Sequence, residues 1–306
     1  MKLLSAILFV LGMPLLAGEF PWSDSAPAEI AASALLPDQV VDEIPCNWRP
    51  VVKPIFEPQV KHCQSAREAV LQIAANIGAT TGVYYTPERR KHNMNALEAL
   101  AEKKVSCTGQ SILLVCALRS VDIPARAVGV LTWNHIEGNH TWVEAWFDGE
   151  WHMIEFNEKD FNTSWVMENI GMLNTARTEQ RIKAANPQGE YRWFPWGPSF
   201  RADDVTQRYM KLARQWYEKN GLSTDTQRLL VNVNERRETA PTLQLVCKDG
   251  NVISSGKLPT LRDDMRYFTR LELPREGEYF LRLKGHSALL PIRATAAPVQ
   301  IISLNY

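Results

Sequence analysis

The chain has no excess of charge of either sign: 34 Lys and Arg residues balance 34 Asp and Glu residues over 306 positions. A nucleic-acid or anionic-membrane binder draws its partner with a field of one sign, so neither partner class is expected. No internal repeat and no low-complexity tract is present, and 45% apolar content excludes disorder, collagen and a bare coiled coil. Histidine is scarce, six in all. His92, His135 and His152 have no metal-ligand spacing with the cysteines, so no metal and no cofactor is expected.

The long apolar run is confined to the beginning, MKLLSAILFVLGMPLLAGEF, where one Lys precedes apolar residues from Leu3 to Leu16 and small residues follow at Ala17 and Gly18. It is too short to span a bilayer stably and reads as a secretory signal peptide over residues 1–18. A secreted or periplasmic protein follows from that reading, with no membrane contact once the leader is removed. Glu19 stands where a lipid-bearing cysteine would, so no acyl anchor is expected.

Cysteines number only five. In an exported chain Cys46 and Cys63, flanking a short Pro-rich stretch, are the natural disulfide pair. Cys107 and Cys116 lie nine residues apart in one predicted helix, on opposite faces at 100° per residue. Cys247, in the strand-like LQLVC, reads as a buried small apolar residue.

Residues 19–62 contain Pro21, Pro27, Pro37, Pro45, Pro50, Pro54 and Pro58 and read as an extended lead-in. Residues 63–222 read as the main domain. Helical spacing appears over 66–77 and around Met94 to Ala101, and ILLVCALRS, opening near Ser106, has almost no polar face, which predicts a central buried helix. After Pro124 the period changes, and ARAVGVLTW, HTWVEAWF and EWHMIEF read as three strands, the last two joined by a tight Asp148–Gly149 turn. Helix is expected again over 176–222, most clearly 203–219, behind an aromatic stretch from Tyr191 to Phe200. Residues 226–306, with short alternating runs between turn signals, read as a small antiparallel β-sandwich. The fold class is therefore α+β, helices on an antiparallel sheet followed by a β-sandwich.

A catalytic thiol needs access, a field that favours thiolate, and a base within reach. Cys107 lies at the start of the most apolar helix, where unpaired amides and the positive end of the dipole favour an anion, and Gly109 leaves room for a substrate. Alone, it would read as a core cysteine. His140, however, opens the strand before the hairpin. If Asp148 and Gly149 form a two-residue turn, Phe147 pairs with Glu150, Trp142 opposes Glu155 and His140 opposes Asn157. His140, Glu155 and Asn157 then share one face, and a register slip of one would hand the role of acid to Glu158.

The segments SCTGQSILLVCALRSVDIPARAVGV and GNHTWVEAWFDGEWHMIEFNE resemble the transglutaminase-like superfamily, whose core sets a Cys at a helix start, a His on a strand and an acid on the next strand. The resemblance covers about residues 60–170. It implies a cysteine acyl-transfer enzyme acting on a peptide or protein substrate through a glutamine-like amide, with Cys107 as nucleophile, His140 as base and Glu155 as orienting acid. This sequence departs from the family in having Glu155 where Asp is usual. The Cys107 amide is one oxyanion donor; Tyr84, Tyr85, Asn93 and Gln110 are candidates for a second. The rival reading is a non-catalytic protein- or glycan-binding protein on the same scaffold.

Overall fold

The computed structural model describes residues 19–133, 138–192, 200–220, 226–261, 268–295 and 299–305. The expected leader (1–18), His135 and positions 193–199 of the aromatic stretch lie outside the described residues. Two compact units are present. The first holds the described residues up to Val130, together with His140–Phe161 and Lys183–Asp204; the second holds Leu131–Asn139, Asn162–Ile182 and the chain from Val205 onward.

The first unit begins with α1 (Ala28–Ala34), α2 (Arg49–Val60), α3 (Ala66–Thr81), β1 (Tyr84–Tyr85), α4 (Ala96–Glu102), β2 (Lys104–Val105) and α5 (Cys107–Arg119). Strands β3 (Ala125–Val130), β4 (His140–Phe147) and β5 (Glu150–Ile154) follow, and β6 (Ile182–Ala185), β7 (Tyr191–Arg192) and β8 (Arg201–Asp204) complete a sheet of order β5-β4-β3-β6-β8-β7. Both β3–β4 and β4–β5 are antiparallel. Every residue of α5 from Thr108 to Arg119 is buried, which makes it the central helix its sequence predicts.

The lead-in is not extended: it folds into α1 and α2, and α2 carries Pro54 and Pro58 inside it. The spacing explains how. Pro50, Pro54 and Pro58 recur every four residues and are all exposed, while Val52, Phe56 and Val60 recur at the same interval on the buried side. The amides missing at Pro54 and Pro58 therefore leave carbonyls on the wet face, where water satisfies them. The same helix overturns the expected bridge. Cys46 precedes α2 and Cys63 follows it, both as free thiols. Twelve helical residues rise about 18 Å, whereas a disulfide needs Cα atoms within about 7 Å.

Arg119 fastens the lead-in to the sheet. Buried at the end of α5, it donates from Nε to the carbonyls of Ala34 (2.8 Å) and Ala125 (3.0 Å), and from Nη1 to those of Pro37 (2.8 Å) and Gln39 (3.1 Å). Burial pulls its pKa down to about 10, so it stays charged at neutral pH. Arg119→Met should lose at least about 3 kcal/mol, because four carbonyls, two of them in buried bonds, lose their donor at once. The check is a lower urea midpoint at unchanged m-value.

The second unit contains α6 (Ser164–Ile170), a 3-10 turn at Thr178–Gln180, α7 (Thr206–Lys219) and strands β9 (Thr226–Val233), β10 (Thr242–Cys247), β11 (Val252–Lys257), β12 (Thr269–Pro274), β13 (Tyr279–Leu283), β14 (Leu290–Ile292) and β15 (Val299–Leu304). Sheets β11-β10-β13-β14 and β12-β9-β15 share one core, with Leu229, Val231, Leu271 and Leu273 from one and Leu243, Leu245 and Leu281 from the other. This is the predicted sandwich with one difference: β15 runs parallel to β9. A second difference lies at 176–205, where the 3-10 turn and β6 to β8 replace expected helix. All four residues of β6 are buried, so the strand has neither the alternation nor the helical period that would announce it. Among the described residues no helix is long and apolar enough to cross a membrane.

Candidate active site

The start of α5 is set by Ser106. Its extended backbone breaks the incoming chain, and its hydroxyl accepts the Gly109 amide at 2.9 Å while donating to the His92 carbonyl. A capped first turn leaves the leading amides of the helix ahead of its internal ladder, so Cys107 sits where an anion is favoured. Gly109 has a different role from the one its sequence position suggests. A Cβ there would come 2.9 Å from Val105 Cβ, so the glycine allows α5 to pack on β2 and does not hollow out space for a substrate.

Two hydrogen bonds pin this helix start to the start of β4. Thr108 Oγ1 and Thr141 Oγ1 are 3.0 Å apart, and Ser111 Oγ donates to the Thr141 carbonyl at 3.0 Å, all three side chains buried. Thr108 follows Cys107 and Thr141 follows His140, so this contact brings the backbones at Cys107 and His140 to one corner of the unit. The hydroxyl pair has a visible signal in the sequence, the repetition of Cys-Thr and His-Thr.

The hairpin forms in the predicted register. Asp148 and Gly149 have φ of 53° and 80°, as a primed two-residue turn requires, and Phe147 pairs with Glu150. Pairing continues to Val143 with Ile154, so Glu155 leaves the strand on the face of His140. His140 Nε2 lies 2.6 Å from Glu155 Oε1, and the two residues are 3% and 5% exposed. With Glu155 ionised, the carboxylate only accepts and the imidazole donates from Nε2. Trp142, also buried, sets its ring 5.8 Å from that of His140.

The alternatives for the acid separate clearly. Glu158 is exposed, and its amide donates back to the Glu155 carbonyl at 3.3 Å in a turn. Asn157 turns to α3, its amide bonding the Ala74 carbonyl and its Oδ1 accepting from Gly78. Of the candidate second donors, Tyr84 is 48% exposed, Asn93 donates to the Asp42 carboxylate, and Gln110 is buried in α5.

Burial pushes the Cys46 and Cys63 thiols up from their usual range and the wholly buried Cys116 thiol well above it. Trp146 and Trp151 meet edge to face across the hairpin at 5.3 Å, packing the sheet as expected.

The solved structures similar to parts of the chain include the following three. A Cytophaga hutchinsonii protein provisionally described as a cysteine protease is 18% identical, covering 36% of this chain and 38% of its own, with a TM-score of 0.32. Red sea bream transglutaminase is 12% identical, covering 90% and 66%, with a TM-score of 0.42. A structure described as a TGase is 14% identical, covering 39% and 34%, with a TM-score of 0.31. This chain thus spans less than two thirds of each of these proteins. No curated protein sequence matches it. The model of the transglutaminase-like superfamily matches residues 54–156. That stretch contains Cys107, His140 and Glu155, and the resemblance of this segment to the transglutaminase-like superfamily is thereby shown.

Proposed function

We propose that the protein is an exported, cysteine-dependent acyl-transfer enzyme acting on peptide or glutamine-like amides. The observation that carries this reading is the buried 2.6 Å contact of His140 Nε2 with Glu155 Oε1, in the corner where α5 begins. With Nε2 donating to the carboxylate, the thiol proton is assigned to Nδ1. Cys107 Sγ attacks the amide carbonyl, and its proton passes to His140 and then to the leaving amine. The thioester is resolved by water or by an amine, which makes the enzyme an amidase or protease in one case and a cross-linking transferase in the other. Glu155 holds the ring in one tautomer and stabilises the imidazolium. The Cys107 amide faces the developing oxyanion. Export rests on the leader sequence.

The test is labelling of native, mature protein with iodoacetamide. At pH 6 an unassisted thiol with pKa about 8.5 is almost wholly protonated and reacts slowly. Cys107 is expected to label at least about tenfold faster than the other four cysteines, and His140→Ala should remove that advantage. Labelling indifferent to His140 would leave the non-catalytic scaffold as the better reading.

A further inference from the structure

The contacts of Asn157 do more than eliminate it as the partner of His140. Its backbone amide donates to the Ala74 carbonyl at 2.9 Å, and its Oδ1 accepts from the Gly78 amide at 2.9 Å. Ala74 and Gly78 are four residues apart in α3, so these are the carbonyl and the amide that an α-helix would pair with each other. One residue thus engages both ends of a single helical step. Its backbone is left-handed, with φ of 64°, a conformation asparagine adopts more readily than most residues. The approach is close enough to require glycine in the helix: a Cβ at position 78 would lie 2.4 Å from Asn157 Oδ1. Between this clamp and the end of β5 stand only Glu155 and Phe156, and the turn is closed by the Glu158 amide on the Glu155 carbonyl.

We infer that Asn157 is the positioning residue of the site, locking the segment after β5 onto α3 so that the Glu155 carboxylate is held against His140. The inference rests on the acyl-transfer reading for its functional meaning, but the clamp itself is measurable without any substrate. The β4–β5 ladder reaches Val143 with Ile154, one residue before Glu155, and the bond of Asn157 to Gly78 lies two residues after it. A catalytic side chain needs support after it as well as before it, since an error of about 1 Å in a catalytic contact costs about a hundredfold in rate. The anchor on α3 supplies it.

The experiment uses the full mature chain and the proton resonance of the His140 imidazole N–H. Asn157→Gly keeps the left-handed backbone and removes the side-chain bond; Asn157→Asp keeps an acceptor for the Gly78 amide. Gly78→Ala approaches from the other side, improving intrinsic helix propensity in α3 while displacing the Asn157 amide. The hydrogen-bonded resonance should weaken or shift in Asn157→Gly and in Gly78→Ala and return in Asn157→Asp. Turnover should follow, with kcat lowered roughly tenfold to a hundredfold and KM little changed. Adding Asn157→Gly to Glu155→Gln should lower the rate no further. An unshifted resonance in both Asn157→Gly and Gly78→Ala would overturn the clamp, whatever happened to the melting temperature. Failure of the acyl-transfer reading would show differently, as Cys107 labelling that ignores His140 while the resonance still responds to Asn157.

Discussion

Cys107→Ala is expected to abolish acyl transfer and leave the fold intact. Cys107 is only partly buried and occupies the first position of α5, where alanine is a better helix former than cysteine and no core volume is lost. Nothing else in the site can take over the attack: removing the nucleophile of a comparable triad lowers kcat about a million-fold. Cys116→Ala should do the opposite. That thiol is wholly buried on the far side of the same helix, so its loss leaves activity in place and lowers stability by about 1 kcal/mol. Turnover on a model amide and thermal melts of the two variants decide the matter. Activity in Cys107→Ala, or inactivity in a folded Cys116→Ala, would contradict the assignment.

Glu155→Gln is the second large effect, with an expected fall in rate of up to about four orders of magnitude. In the proposed mechanism the ionised carboxylate only accepts, which keeps the proton on Nε2 and leaves the other nitrogen for the thiol proton. Glutamine presents an amide NH2 as well as an oxygen, so the ring can be held in the wrong tautomer at nearly unchanged geometry. Glu158→Gln is the control, because Glu158 is exposed and lies beyond the turn. Its turnover should stay near that of the wild type. Equal turnover in the two variants would remove Glu155 from the mechanism.

What could be read in advance depended on whether a residue's neighbours are local. The register of β4 and β5 follows from two residues, Asp148 and Gly149, because a two-residue turn fixes every pair that follows and places Glu155 on the His140 face. The buried character of α5 is likewise written in its own composition. Helix α2 was hidden because its prolines argue against a helix unless one sees that they share a face opposite Val52, Phe56 and Val60. The role of Gly109 was misjudged because its neighbour in space is Val105, and packing against β2 left no mark on spacing. Asn157 was weighed against His140 because the hairpin extrapolation runs straight on past Ile154. The chain instead turns toward α3, 79 positions earlier in sequence, and no periodicity in either segment announces the meeting.

The immersion of α5 has a kinetic consequence. A nucleophile carried on a surface loop can be lost by fraying, at an energy well below that of unfolding the domain. Here the helix behind Cys107 is enclosed along its length, with Arg119 holding its far end to the lead-in and to β3. Withdrawing the helix from its place means exposing all of that surface together. The lifetime of the active arrangement at elevated temperature is therefore governed by the rate of global opening of this unit, and changes that slow that opening lengthen the working half-life even where they leave the resting geometry untouched.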